Sequence, residues 1–252
     1  MIGLMIRIHP ALLILTFVVA ACQPAIKATP LAPASSSIPS QEWTATPAPA
    51  TLPPSPAPTE TLAPAPRTFD EGFNGSLPYW VFQQNDNGQP FPGPAVEAGY
   101  LVFNLTAPNQ WAYALYGGQE YQNVRVDAQV EVRTGDGALG AVCRYSEKDG
   151  WYEFNIYSDQ TYMLLYGQWL APGIAYYTPM YHGDSEKIRN GANEIGLQCK
   201  DNLLTPFING VQMRIWDEKK FGLKAGRIGI SASSFDAIPF TSAFDWVKVS
   251  EP

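Results

Sequence analysis

Ala138-Leu-Gly-Ala-Val-Cys-Arg-Tyr-Ser-Glu-Lys-Asp-Gly-Trp-Tyr-Glu-Phe-Asn-Ile-Tyr-Ser158 is the stretch whose reading decides the fold. Two apolar, aromatic-rich runs flank Glu147-Lys-Asp-Gly150, a turn signal, so they read as an antiparallel hairpin. Pairing Ser146 with Trp151 sets Arg144 opposite Glu153 and Cys143 opposite Phe154. A tight turn at Asp159-Gln160 continues the meander, pairing Tyr157 with Tyr162 and Glu153 with Tyr166. Side chains alternate across a strand. One face then carries Ala141, Cys143, Tyr145, Phe154, Ile156, Met163 and Leu165, and reads as core. The other carries Gln129, Glu131, Arg144, Trp151, Glu153, Asn155, Tyr157, Tyr162, Leu164 and Tyr166, and is polar yet crowded with rings.

The same rhythm extends outward. Val124, Val126, Ala128, Val130 and Val132 alternate with Arg125, Asp127, Gln129, Glu131 and Arg133. Turn signals recur at Asn87-Gly88, Gly135-Asp-Gly137, Asp201-Asn202 and Asn209-Gly210, and no helical stripe of useful length interrupts them. Residues 68–252 therefore read as one all-β domain, a two-sheet antiparallel sandwich. Gly167–Ala192 reads as a long loop near a sheet edge, adding Trp169, Tyr176, Tyr177 and Tyr181.

Upstream the texture is different. Residues 22–67 are punctuated by Pro, as in Thr46-Pro-Ala-Pro-Ala-Thr-Leu-Pro-Pro-Ser-Pro-Ala-Pro-Thr59, with few aromatic or β-branched apolar residues. Such a tract buries too little surface to offset its ordering entropy, and reads as a disordered, extended spacer. Residues 1–21 combine Arg7 and His9 with the apolar run Ala11–Ala21. That run would span only ~16 Å as a helix, against the ~30 Å of a hydrocarbon core, so it reads as a secretory signal. Its ending, Val19-Ala20-Ala21-Cys22, resembles the lipobox of bacterial lipoproteins, which implies acylation of Cys22. The expectation is an exported protein, lipid-anchored to the bacterial cell envelope with its domain outside the cytoplasm. If Cys22 carries lipid, Cys143 and Cys199 remain as a candidate disulfide, the alternative being two buried free thiols.

The net charge of −7 disfavours nucleic acid as a partner. Contact with a membrane is expected through the N-terminal lipid only. No cofactor or metal is expected. Gly135-Asp-Gly137 and Asp236 read as turn formers, and His182 as a loop histidine.

Several landmarks together look familiar: Phe69-Asp-Glu-Gly-Phe73 followed by Trp80, the run Gly140–Ile156, Asn193-Glu-Ile-Gly-Leu-Gln-Cys-Lys-Asp-Asn202 with Asn209-Gly210, Gly226-Arg-Ile-Gly-Ile230, and Phe244-Asp-Trp-Val-Lys-Val249. They resemble the concanavalin A-like lectin/glucanase superfamily, laminin-G-like jelly rolls and the bacterial domain labelled 3-keto-disaccharide hydrolase. The resemblance implies two curved sheets with glycan bound on the concave one. Laminarinase-type members carry Glu-x-Asp-x-x-Glu on one strand. Here Glu153 is followed by Asn155 and Ser158 at the other two positions, so a catalytic carboxylate is missing. No catalytic residue is assigned. The reading favours carbohydrate binding, with Arg144, Glu153 and Asn155 as hydrogen-bonding groups and Trp151, Tyr157, Tyr162 and Tyr166 as stacking platforms. A glycoside-cleaving enzyme and a protein-adhesion module are the alternatives.

Overall fold

The computed structural model describes residues 63–85 and 92–252. The signal, Cys22 and the tract up to residue 62 lie outside the described residues. Among those described, the first strands are β1 (Phe69–Glu71), β2 (Trp80–Gln84), β3 (Ala95–Glu97), β4 (Tyr100–Leu105), β5 (Trp111–Tyr121) and β6 (Val124–Thr134). The meander follows as β7 (Gly137–Ser146), β8 (Gly150–Tyr157), β9 (Thr161–Ala171) and β10 (Ile174–Asp184). The chain closes with β11 (Asn193–Lys200), β12 (Leu203–Ile208), β13 (Val211–Gln212), β14 (Trp216–Asp217), β15 (Gly226–Ser234) and β16 (Phe240–Ser250).

These strands form two antiparallel sheets. One runs β13-β12-β11-β6-β16-β4-β3, with β1 on β16 and β14 on β12; the other runs β10-β9-β8-β7-β15-β5-β2. The first and last strands pair, Phe69 opposite Val249. Between the sheets lies a core of Val124, Val126, Ala128 and Val130 from β6 against Leu139, Ala141, Cys143, Phe154 and Ile156 from β7 and β8. The predicted alternation of β6 is present, apolar residues inward, because any other register would put Arg125 and Arg133 in hydrocarbon. The disulfide is present too. Cys143 on β7 and Cys199 on β11 are bonded, so the bridge ties the two sheets across the core at a sequence separation of 56. A loop of that length is worth at most about 4 kcal/mol in the chain-entropy model.

The end of the Pro-rich tract is held by the domain. Tyr116 and Tyr121 donate their hydroxyl hydrogens to the carbonyls of Pro66 (2.8 Å) and Arg67 (2.9 Å), and Gln119 donates to that of Ala65 (2.9 Å). Tyr79 reaches the carbonyl of Ala63. Proline removes backbone donors but leaves carbonyls, so a row of hydroxyl and amide donors suits this segment.

The meander departs from its predicted register at its two turns and at a bulge. The first turn is Glu147-Lys-Asp149, with Ser146 opposite Gly150 and not Trp151. The β7–β8 ladder pairs Cys143 with Tyr152 but Ser146 with Gly150, so Arg144 and Tyr145 together face one residue, Trp151. This is a β-bulge, with Arg144 at φ +52°. The extra residue swaps the two side chains: Tyr145 turns to the face expected for Arg144, and Arg144 leaves it. The β8–β9 connection is the second turn. It has three residues, Ser158-Asp159-Gln160, with Gln160 at φ +68° and its amide donating to the Tyr157 carbonyl. A three-residue loop ending in a left-handed residue shifts pairing by one relative to a two-residue turn. Tyr152 therefore faces Tyr166, and Ile156 faces Tyr162. Tyr162, Leu164 and Tyr166 turn into the sandwich core, and Met163 and Leu165 take the opposite face.

Two further expectations are corrected. Gly167–Ala192 is not a loop: it contains the end of β9 and all of β10, with Tyr177 paired to Gly167 and exposed His182 to Met163. Gln129 and Glu131 lie on β6 in the other sheet, where Glu131 pairs with Arg133 at 2.9 Å.

Candidate functional site

The face of the seven-stranded sheet that points away from the core carries the polar-aromatic residues. From β8 come Trp151, Glu153, Asn155 and Tyr157. From β5 come Trp111, Tyr113 and Leu115, from β7 Val142 and Tyr145, from β9 Trp169 and from β10 Tyr177. Glu153 is the centre. It is fully buried, and its carboxylate accepts hydrogen bonds from Ser231 Oγ (2.6 Å), Trp151 Nε1 (2.9 Å) and Tyr113 Oη (3.2 Å). Burial raises its pKa above the ordinary 4.5, against the opposing pull of hydrogen bonds from Ser231 and Trp151. Tyr113 is raised well above 10 by its own burial and then by the nearby Glu153 charge.

Glycines make room for this cluster. A Cβ at Gly167 would sit 2.3 Å from the Trp151 indole, and one at Gly140 would lie 2.1 Å from Asn155 Oδ1 and 2.2 Å from Ser231 Oγ. Only a residue without a side chain lets those groups approach the backbone so closely.

The rings then close over the carboxylate. Trp151 packs against Tyr145 (5.2 Å between centroids), Trp169 (5.4 Å) and Tyr113 (5.5 Å). Tyr177 stands 3.8 Å from Trp111, and its hydroxyl lies 2.6 Å from that of Tyr113. In the sheet order β5 and β10 are five strand positions apart, roughly 24 Å if the sheet were flat. Their side chains touch, so the sheet is curled and this face is concave.

The predicted site residues are thus distributed as follows. Trp151, Glu153 and Asn155 share the concave face as expected but are buried, at 0%, 0% and 1% exposure. Tyr157 is half-buried at one end of that face, stacked on Phe235 at 5.8 Å. Tyr162 and Tyr166 belong to the core between the sheets, for the loop-length reason above. Arg144 is buried elsewhere. Its guanidinium donates twice to the Gln122 carbonyl (Nε 3.1 Å, Nη2 2.8 Å) and once to that of Leu223 (2.8 Å), tying two loops to β7. It does not meet Glu153.

What the concave face offers to solvent lies at its rim. Trp169 lines a cleft of about 520 Å³ together with Gln83, Gln84, Glu147, Ala171, Pro172 and Gly173. Trp169 Nε1 donates to Tyr145 Oη (2.7 Å), which donates to Gln83 Oε1 (2.6 Å), so the floor of the cleft is hydrogen-bonded to the buried cluster. Glu147 stands at the edge with Arg227 at 3.0 Å. Trp169 and Tyr177 were legible as aromatic residues near an edge of this sheet; Trp111, Tyr113 and Gln83 were missed. The alternation of Trp111, Tyr113 and Leu115 was the available signal.

No family model and no curated protein matches the chain. Solved structures do. A GH16 protein of the Bacteroides ovatus mixed-linkage glucan PUL, in complex with a G4G4G3G product, superposes with a TM-score of 0.52 at 12% identity, covering 72% of this chain and 99% of its own. The laminarinase catalytic domain of Thermotoga maritima gives 0.51 at 12% identity, over 73% and 97%. A Bacillus subtilis protein with a galectin-like fold gives 0.50 at 10% identity, over 73% and 94%. The likeness is one of fold. The described domain is a concanavalin A-like jelly roll, as the sequence landmarks implied.

Within that fold the departure from Glu-x-Asp-x-x-Glu takes physical form. Ser158 has left the strand and donates to Asp136 at 2.9 Å, while the groups hydrogen-bonded to Glu153 are a serine, a tyrosine and a tryptophan. A retaining mechanism sets two carboxyl groups about 5–5.5 Å apart around a glycosidic bond. Here the one carboxyl is dry and its hydrogen-bond partners are neutral. Its evident work is to accept three buried donors.

That role has a measurable consequence. Glu153→Leu orphans three donors, at about 1–3 kcal/mol for each one left unsatisfied, and is expected to lower unfolding free energy by about 3 kcal/mol or more in chemical denaturation. Glu153→Gln is expected to lose less. The raised pKa means the folded chain keeps a proton that the unfolded chain has released, so unfolding releases a proton. Stability of the wild type relative to Glu153→Gln is therefore highest below pH 4.5 and falls as pH rises through the folded-state value. A difference that grows with pH instead would contradict this assignment.

Proposed function

We propose that this chain is a carbohydrate-binding protein whose jelly-roll head takes glycan at the rim of its concave sheet. It is exported and held to the cell envelope by lipid on Cys22, with the Pro-rich tract as spacer. The observation that carries the binding reading is the Trp169 cleft. Sugar rings present apolar C–H faces that suit an indole, and hydroxyls that need both donors and acceptors. The carboxamides of Gln83 and Gln84 and the carboxylate of Glu147 put both beside Trp169. Structural neighbours named as a laminarinase catalytic domain and as a GH16 protein of a mixed-linkage glucan PUL, the latter holding a G4G4G3G product, make β-glucans the first class to test.

The reading shifts the platform. Arg144, Tyr162 and Tyr166 are withdrawn as ligand contacts, and Trp151, Glu153 and Asn155 become the support beneath Trp169 and Tyr177. Glycoside cleavage receives no support from a buried, singly acidic centre.

Calorimetric titration of the intact chain with β-glucan oligosaccharides is expected to show binding that Trp169→Ala weakens tenfold or more, with unfolding still cooperative. Unchanged affinity in that variant would remove Trp169 from the site. For the anchor, cells fed a radiolabelled fatty acid are expected to label the wild type and not Cys22→Ser; equal labelling of both would overturn the lipoprotein reading.

A further inference from the structure

We infer that the head recognises the ends of glycan chains and not their interior. This rests on the carbohydrate reading above and sharpens it to a class of ligand.

An open trough that lays a polysaccharide across a curved sheet must expose the middle of that sheet to solvent. Here the middle is dry. Tyr113, Trp151 and Glu153 are at 0% exposure and Tyr145 at 1%, and these are the residues at the centre of the concave face. The cause is a bridge between the two halves of the curled sheet. Tyr177 on β10 meets Trp111 and Tyr113 on β5, with ring centroids 3.8 Å apart in the first pair and hydroxyls 2.6 Å apart in the second. A sugar residue lying across the sheet would have to displace those rings and strip three hydrogen-bond donors from Glu153.

The Trp169 cleft is separated from the rest of the concave face. On its inner side runs the relay from Trp169 through Tyr145 to Gln83, linking β9, β7 and β2 at 2.7 and 2.6 Å. That relay closes the cleft toward the buried cluster, and the β9–β10 turn at Ala171, Pro172 and Gly173 forms another wall. A volume of about 520 Å³ lies within the roughly 300–1,000 Å³ of small-molecule sites. It suits a terminal sugar or two stacked on Trp169, with the rest of the chain leading out to solvent. An internal segment laid along the sheet would have to run on across its dry middle, where Tyr177 meets Trp111 and Tyr113.

The experiment compares one linear β-glucan of known chain length with the same glucan shortened tenfold by partial acid hydrolysis. Both are titrated into the intact wild-type chain by calorimetry at equal mass of sugar. End recognition predicts that binding sites per gram rise about tenfold on shortening, with the affinity per site unchanged. Sites per gram that stay constant, many heads occupying each long chain, would overturn end recognition while leaving carbohydrate binding intact. Absence of binding to both preparations would overturn the β-glucan assignment on which this inference stands. Tyr177→Ala supplies an independent check. Removing the bridge opens the trough, and sites per gram of the long glucan are expected to rise; no rise, in a variant that still unfolds cooperatively, counts against the bridge as the barrier.

Discussion

A single buried carboxylate organises the concave half of this molecule. Glu153 lies under a roof of rings, and its pull on Tyr113, Trp151 and Ser231 sets where those side chains stand. Taking an acid out of water is costly, and an acid that stays there must be hydrogen-bonded or neutral. Three donors point at Glu153, and burial raises its pKa against their pull. The donors are themselves polar ends of large apolar bodies, so satisfying the carboxyl also seals it. From that arrangement follow the orientation of Tyr145, the position of Trp169 and the reach of Tyr177 across the trough.

The result is a jelly roll with two cores. One lies between the sheets, stitched by Cys143–Cys199. The other fills the trough where the sequence resemblance implied bound glycan, and it leaves only the rim to solvent. A face that was rich in aromatic and polar groups could serve as a sugar platform or as a packed interior. Burial decides for the interior at its centre, and hydrogen-bond chains running outward decide where a usable surface remains. Glu153, the first position of the run read against Glu-x-Asp-x-x-Glu in the sequence, is here a structural hub.

Much of this was legible in the residues, and the failures have definite causes. The strict alternation in Val124–Arg133 and the apolar runs around Cys143 were enough for the sandwich, since misplacing charged residues in a core costs more than any local preference. Phe154 and Ile156 turned inward as the pattern required. The errors came from single-residue irregularities. One inserted residue at Arg144 exchanged it with Tyr145, and one extra loop residue, with Gln160 in a left-handed conformation, inverted every side chain of β9. Side-chain alternation has a period of two, so a local change that small reverses an entire strand, and no apolar pattern in Tyr162–Tyr166 warned of it: Tyr, Met, Leu, Leu and Tyr are tolerable on either face. The meeting of Trp111 with Tyr177 was beyond local reading for another reason. It depends on how tightly the four intervening strands curl, which is a property of the whole sheet.

The central claim is that the middle of the concave face is shut off from water. The exchange rate of the Trp151 indole hydrogen, followed by NMR after transfer to heavy water, tests it most directly, because that hydrogen is held by Glu153 and belongs to a residue with no exposed surface. The account predicts exchange as slow as that of the backbone amides at the centre of β7 and β8, requiring global unfolding. Exchange within seconds under native conditions would show an open trough and contradict it.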